Sequence, residues 1–300
     1  MKIPATTNKD ISVVSVYKDT FMEEDFCKGI VEKLRDQENP IIAFDTEFPG
    51  TIDRRYTPTA TSEDSYEILK HNVDATNIIQ LGLTLQTKGS NGEFNYDVWE
   101  FNFKDFNLLR GHHHNPESIK LLKQQGIDFE KNTRDGIDSR CFSTWLKLLL
   151  FVNKKTTWVG FHSAYDFGYM IKILTGKPLP EKLSRFKSLV KDYFGCQVYD
   201  LKYVIKDCRQ PGPGLYGGLD KIAKAMNVNR AAGICHQAGS DSLLTMQTYN
   251  AVLGRFFSPA KSVGPEYGCK LFGLEKSHFG STDGCKSGPG NQVPFVEFVK

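Results

Sequence analysis

The sequence predicts an α/β protein with a central mixed β-sheet flanked by helices, and three observations carry that reading. Ile41–Gly50 (IIAFDTEFPG) opens on an apolar run and closes on Pro-Gly, the pattern of a strand covered on both faces. Asn77–Gln86 (NIIQLGLTLQ) and Phe94–Phe103 (FNYDVWEFNF) are rich in apolar, β-branched and aromatic residues, with Gly89-Ser90-Asn91-Gly92 between them. They read as one antiparallel hairpin. Around these strands run segments with apolar residues at helical spacing, separated by Gly and Pro stops. The pattern amounts to one core over roughly residues 9–257.

Taken in order, Ile11–Val16 reads as a short strand. Phe21–Gln37 has Phe26, Ile30, Val31 and Leu34 at helical spacing. Its early acids and late bases match the helix dipole. Thr51–Asp64 reads as a polar loop beside the end of the central strand. Its Arg54, Arg55 and Tyr56 are either substrate contacts or ordinary solvated residues. Asn107–Pro116 is a loop with His112, His113 and His114, which read as surface histidines. Ser118–Gln125 and Phe142–Phe151 are helical. Thr157–Phe161 (TWVGF) is a strand, followed by a helix over Asp166–Thr175 stopped by Gly176 and Pro178. Glu181–Tyr193, Leu219–Met226 and Ser240–Arg255 are further helices, and Val198–Cys208 a short strand turning into one. From Ser258 to Lys300 the chain is rich in Gly, Ser, Lys and Pro and loses apolar periodicity. It reads as a mostly disordered tail, in which VPFVEFVK could still dock.

The chain has 300 residues, 40% of them hydrophobic and 24% charged, with a net charge of +3. That is the make-up of a soluble globular protein without the broad basic stripe of a general nucleic-acid binder. Its seven cysteines form no CxxC pair, so the reading is reduced thiols in a cytosolic or nuclear protein, not a disulfide or zinc framework. No apolar run approaches a membrane span, and the N-terminus lacks a signal-peptide core.

The chemistry begins at Asp45 and Glu47. Side chains alternate along a strand, so the two carboxylates share a face about 7 Å apart along the backbone. A pair of acids at the end of a buried strand calls for compensation, and a hard divalent cation supplies it. Asp166 opens a helix just after the strand TWVGF, and Met170, Ile173 and Leu174 place its face inward. Read alone, Asp166 is more readily a helix N-cap or first-turn acid. His162, four residues earlier, is a candidate ligand or a hydrogen-bonded structural histidine. Asp241 opens the last helix, and His236 lies five residues before it in CHQAGSDSLLT. An imidazole there is placed to take a proton from water. Phe48 either stacks on a terminal base or packs in the core. Taken together, the acids and the histidine fit two-metal phosphoryl transfer, with cations roughly 3.5–4 Å apart.

The stretches FDTEFPG, NIIQLGLTL, WEFNF, FHSAYDFGYMIKILTG, YDLKYV, GGLDKIA and HQAGSDSLLT carry a resemblance. The chain resembles a DEDD-superfamily 3′–5′ exonuclease of the histidine-containing branch. More closely, it is similar to the Pop-type, CCR-associated-factor deadenylase subunit of the CCR–NOT complex. The resemblance implies a ribonuclease-H-like fold and removal of poly(A) from mRNA 3′ ends with release of 5′-AMP, using two divalent metal ions, Mg2+ or Mn2+. By position, Asp45 matches the acid shared by both metals. Glu47 and Asp241 match the ligands that complete the site of the attacking water. Asp166 matches the second metal's ligand, and His236 the general base. The implied partners are poly(A) RNA, a large NOT scaffold subunit and a leucine-rich-repeat deadenylase subunit, with no membrane. The implied locations are cytoplasm and nucleus. Ala164 stands where many members carry glycine, and the histidine loop lacks the acidic character common in relatives. Two other readings share the same acids: trimming of other RNA or DNA 3′ ends, and an adaptor that bridges a scaffold to a second nuclease.

Overall fold

The computed structural model describes residues 11–55, 61–89, 92–208, 215–257 and 263–275. The elements begin with β1 (Val13–Val16), α1 (Lys18–Met22), α2 (Glu24–Arg35), β2 (Ile41–Glu47), α3 (Ser62–Ala75), β3 (Gln80–Lys88) and β4 (Phe94–Asn102). They continue with α4 (Pro116–Gln124), α5 (Phe129–Asp135), α6 (Ser139–Val152), β5 (Thr157–Gly160), α7 (Ala164–Thr175) and α8 (Leu183–Phe194). The remainder are β6 (Val198–Asp200), α9 (Leu201–Val204), α10 (Leu219–Ala225) and α11 (Ala238–Phe256).

The six strands form one sheet in the order β1-β4-β3-β2-β5-β6. The expected hairpin is β3–β4, antiparallel, with Leu83 opposite Trp99. β2 lies antiparallel to β3 on one side and parallel to β5 on the other. The sheet is mixed, as expected, and β2 lies inside it. Alternation along β2 then sends its side chains into two different cores. Ile42 and Phe44 join the core built with Phe167, Met170 and Phe142 of α7 and α6. Ala43 joins the other, with Leu244 and Tyr249 of α11 and Ile222 of α10. Asp45 and Glu47 follow Ala43 onto the α11 side, and Thr46 follows Phe44 onto the α7 side.

Close approach of α11 depends on two glycines. A Cβ on Gly82 would sit 1.9 Å from the carbonyl oxygen of Ala238, and one on Gly239 would sit 2.5 Å from Val13 Cγ1. Register places Gly82 directly opposite Asp45, so the start of α11 seats on the sheet beside the first acid of the D-x-E pair.

Four differences from the sequence reading have local causes. The polar loop ends earlier than expected because Thr61 and Asp64 form a reciprocal capping box that starts α3 at Ser62. The expected helix over Phe21–Gln37 is two helices, because Glu23 adopts an extended conformation (ψ 121°) between α1 and α2. A further short helix, α5, starts where Asp128 accepts from the N–H of Lys131. The expected tail from Ser258 does not hold for residues 263–275. Val263, Leu271 and Leu274 are buried, and Cys269 N–H donates to the Val198 carbonyl at 2.8 Å. Three apolar anchors offset the Gly-rich composition there. Tyr56 and the VPFVEFVK motif lie outside the described residues. Among the described residues, no helix is long and apolar enough to cross a membrane.

The glycines give a paired test. Gly29, on α2, has open space around its missing Cβ, so Gly29→Ala should stabilise the protein by about 0.5–1 kcal/mol through helix propensity. Gly82→Ala should destabilise it by about 1–3 kcal/mol, because backbone must move to admit the methyl. Chemical denaturation of both variants measures this; equal effects would show that α11 is not seated on Gly82.

Candidate active site

The three carboxylates of Asp45, Glu47 and Asp241 converge where β2 meets the start of α11. One oxygen from each lies within 4.8 Å of the others, and all three residues are buried. They arrive by two local rules. Strand alternation places Asp45 and Glu47, and the glycine seat of α11 places Asp241. The first N–H groups of α11 find acceptors on the sheet. Ala238 donates to Gln80 Oε1 at 3.3 Å and Gly239 to Glu100 Oε2 at 3.1 Å. An all-oxygen, negatively charged donor set of this kind fits a hard divalent cation.

Asp166 is not among the three converging carboxylates and reaches β2 from the α7 side of the sheet. β2 pairs with β5 from Ile41–Thr157 to Ala43–Val159, and β5 ends at Gly160. Among the described residues, no strand pairs with β2 on that side beyond this point. Asp166, in the first turn of α7, takes over. Its Oδ1 accepts from the Thr46 N–H at 2.8 Å and from the Thr46 hydroxyl at 2.6 Å. The residue between Asp45 and Glu47 thus holds the fourth acid. Asp166 is 1% exposed, so it is aimed inward, as its helix face implied.

Asp241 is gripped from two directions. Arg230 Nη1 donates to its Oδ1 at 2.5 Å, and the His236 N–H donates to its Oδ2 at 3.1 Å. The same guanidinium holds Ser240 Oγ at 2.6 Å and Asp220 through Nη2 at 3.0 and 3.1 Å. Arg230 therefore ties α10, the following loop and α11 together. His236 sits in the left-handed region (φ 59°), which turns the loop sharply into α11. Its ring nitrogen lies within 4.8 Å of an Asp241 carboxylate oxygen.

His162 and Phe48 are placed differently from the acids. His162 also has a left-handed backbone (φ 57°). Its N–H donates to Asp200 Oδ1 at 2.9 Å, and its ring meets Phe272 edge-on at 5.2 Å. Asp200 is fully buried and also accepts from the N–H groups of Ser163, Lys202 and Phe272. It fixes the turn that leads from β5 to α7. Phe48 is half-buried, with its ring stacked on Tyr165 at 5.4 Å and tilted against Tyr169 at 5.0 Å. That packing favours the core reading of Phe48 over base stacking. The histidine loop is knitted locally: His112 Nδ1 accepts from the Asn107 N–H, and His114 Nδ1 meets the His112 carbonyl at 2.8 Å. Arg55 is held by Asp53 at 2.8 Å. The sequence reading passed over Arg230, Thr46 and Asp200. For Thr46 a signal was present, since the residue between two paired acids must face the opposite core.

A mixed sheet of this topology with acids on its central strand and on the first turns of two helices defines a metal-dependent nuclease of the ribonuclease-H-like class. The CAF1 family ribonuclease model matches residues 27–141 and 138–248. The chain belongs to that family. It is 41% identical over 267 residues to the probable CCR4-associated factor 1 homolog 7 of Arabidopsis thaliana, covering 86% of this chain and 93% of the relative. It is 36% identical to the poly(A) ribonuclease pop2 of Schizosaccharomyces pombe, covering 86% of this chain and 73% of the relative. The structure resembles S. pombe Pop2p in its Mg2+- and Mn2+-bound form, with TM-score 0.73, 32% identity and coverage of 87% and 99%. It also resembles yeast CAF1 co-crystallised with the NOT1 MIF4G domain, with TM-score 0.65, 26% identity and coverage of 87% and 96%. The chain is a metal-dependent exoribonuclease of this family.

Two outcomes are expected from the residues that support the acids. Thr46→Val removes the hydroxyl donor to Asp166 at nearly constant volume. It should weaken Mn2+ affinity, read by calorimetry, by about 10–100-fold; wild-type affinity would remove Thr46 from the support of Asp166. Burial, and to a smaller degree the nearby Asp241, pushes the Glu100 carboxyl above its ordinary value, against a lowering by the Gly239 N–H. A raised acid pKa costs the folded state stability as pH rises through the unfolded value toward the folded one. Glu100→Gln should therefore match wild type in acid and become the more stable protein toward neutral pH. Thermal denaturation across that range in a chelator tests this, and a gain that shrinks with rising pH would contradict it.

Proposed function

We propose that this protein shortens poly(A) tails of mRNA from the 3′ end, releasing 5′-AMP, as a subunit of a CCR–NOT-type complex. The convergence of Asp45, Glu47 and Asp241 within 4.8 Å is the observation that carries the catalytic part. The poly(A) part is supported by the likeness to the S. pombe poly(A) ribonuclease. Docking to a NOT scaffold is supported by the likeness to yeast CAF1 crystallised with NOT1. A leucine-rich-repeat deadenylase as a second neighbour, and residence in cytoplasm and nucleus, follow from the same family resemblance.

In this reading Asp45, Glu47, Asp241 and Asp166 would hold two divalent cations, with Glu47 and Asp241 on the side of the attacking water. When bound, two such ions activate water and stabilise the charge that develops on the phosphate and the leaving oxygen. The chain's own residues do the rest. Thr46 holds Asp166, Arg230 and the His236 N–H hold Asp241, and buried walls keep the acids from bulk water. His236 accepts the proton of the attacking water through its ring. The proton then leaves to solvent along a loop whose neighbours Ala231, Gly233 and Ile234 are exposed.

The test is an A-tailed RNA incubated with purified protein and Mg2+ or Mn2+. Stepwise 3′ shortening that stops on chelation is expected. Asp45→Ala should lower the rate by roughly 10²–10³-fold or more. His236→Gln should lower kcat by about 10²–10⁴-fold while leaving Mn2+ affinity near wild type. A His236→Gln rate close to wild type would dismiss it as the base. Equal rates on poly(A), poly(U) and single-stranded DNA would replace the deadenylase reading with a general 3′ exonuclease.

A further inference from the structure

Next to the hard acidic triad lies a second constellation of different chemistry. Cys235 Sγ, a ring nitrogen of His236 and a carboxylate oxygen of Asp241 lie within 4.8 Å of one another. We propose that Cys235, His236 and Asp241 form an inhibitory metal site selective for thiophilic divalent cations, of which Zn2+ is the type. It rests on the roles proposed above for His236 and Asp241, which it borrows.

Softness sets the selectivity. The triad Asp45, Glu47 and Asp241 offers oxygen alone, which suits Mg2+ and Mn2+. The set Cys235, His236 and Asp241 offers one sulfur, one nitrogen and one oxygen. Thiolate and imidazole favour Zn2+ over Mg2+. Three protein ligands with a fourth position left to water is a common tetrahedral arrangement for Zn2+. Bonds of about 2.0–2.3 Å in that geometry put ligand atoms about 3.5 Å apart. The three atoms therefore need to close by at most about 1.3 Å. Two of them sit on the loop before α11, where the chain around Ala231, Gly233 and Ile234 is exposed, so that closure does not disturb the packed sheet.

The surrounding charge has the right sign. Cys235 Sγ–H donates to Asp220 Oδ2 at 3.3 Å. A divalent ion displaces the thiol proton to solvent and binds the thiolate. Once the ion is seated, the His236 ring donates its lone pair to metal and accepts no proton. Asp241 is drawn away from the hard-metal site at the same time. Inhibition by this route competes with the catalytic cations and not with RNA.

The experiment uses the full chain stripped of metal, with Co2+ as the spectroscopic probe and Zn2+ as the inhibitor. Wild type with Co2+ should show a thiolate-to-cobalt charge-transfer band, and Cys235→Ser should lack it although the other cysteines remain. Zn2+ titrated into Mg2+-driven RNA hydrolysis, with each protein scaled to its own Mg2+ rate, gives the functional arm. Cys235→Ser should need at least about tenfold more Zn2+ for half-inhibition, since even outer-shell partners of a metal site are worth 10–100-fold in affinity. A band that survives Cys235→Ser, or unchanged Zn2+ sensitivity, overturns the proposal and places Zn2+ on the acidic triad or another thiol. Absence of RNA hydrolysis by wild type would instead overturn the nuclease reading, and the cobalt band would still decide the metal site.

Discussion

Mutual repulsion among Asp45, Glu47 and Asp241 is the constraint around which the molecule is built. Three buried carboxylates with oxygens within 4.8 Å repel by about 3–4 kcal/mol per pair at an effective dielectric of 20, if all are ionised. The sum of three pairs rivals the net stability of a typical domain, about 5–15 kcal/mol. Something must oppose it before any cation arrives. Arg230 bonds Asp241 directly, and the His236 N–H takes the other oxygen. The first turn of α11 brings its positive dipole end to Asp241, worth up to about 2 kcal/mol when partly buried. Charge-assisted hydrogen bonds add about 1.5–3 kcal/mol each. These offsets are of the right order and incomplete, and the shortfall is what a divalent cation gains on binding. Metal affinity here is the remainder of an electrostatic conflict that the fold enforces.

Topology decides which residues enter that conflict. β2 lies inside the sheet and feeds two cores, so alternate residues have opposite fates. β5 is short and ends at Gly160, and the Thr46 N–H donates to Asp166 Oδ1. Asp166 makes that contact from α7. A longer β5 would satisfy Thr46 with a carbonyl and leave Asp166 nothing to bind on β2. Asp200 has the matching role at the neighbouring strand β6. Its carboxylate gathers the N–H groups of His162, Ser163, Lys202 and Phe272 and thereby sets the angle at which α7 leaves β5. The C-terminal residues 263–275 belong to the folded domain for the same reason, since Phe272 supplies one of those donors.

Much of this was legible in the sequence, and what was not shares a cause. Strands and helices with a strong local period could be read directly, as could the D-x-E pair and the acids at two helix starts. Thr61 and Asp64 carried a local signal for α3, a capping box that the polar composition of the segment masked. Gly82, Arg230 and Asp200 carried no local signal. Gly82 matters because register sets it opposite Asp45 and α11 lands on it. Arg230 matters because three separate segments meet at its guanidinium. The contacts of Gly82 and Asp200 join regions far apart in sequence, while those of Arg230 reach only ten or eleven residues either way and arise from the folding of the loop between α10 and α11. Composition misled at residues 263–275 because three buried anchors, Val263, Leu271 and Leu274, decide the packing of a Gly-rich stretch.

The site divides its labour between rigid and yielding elements. Asp45 and Glu47 ride on a strand hydrogen-bonded through its length to β3, and Asp166 on a helix buried on nearly every side. Their positions are fixed by packing, which suits groups that must hold cations at a set spacing. His236, Cys235 and Arg230 ride on the half-exposed loop before α11. The role of proton acceptor proposed for His236 tolerates that freedom. The same freedom lets one loop present two donor sets, the hard one completed by Asp241 and a softer one through Cys235. Asp241 belongs to both, which is why a single carboxylate at a helix start can couple the choice of metal to the availability of the base.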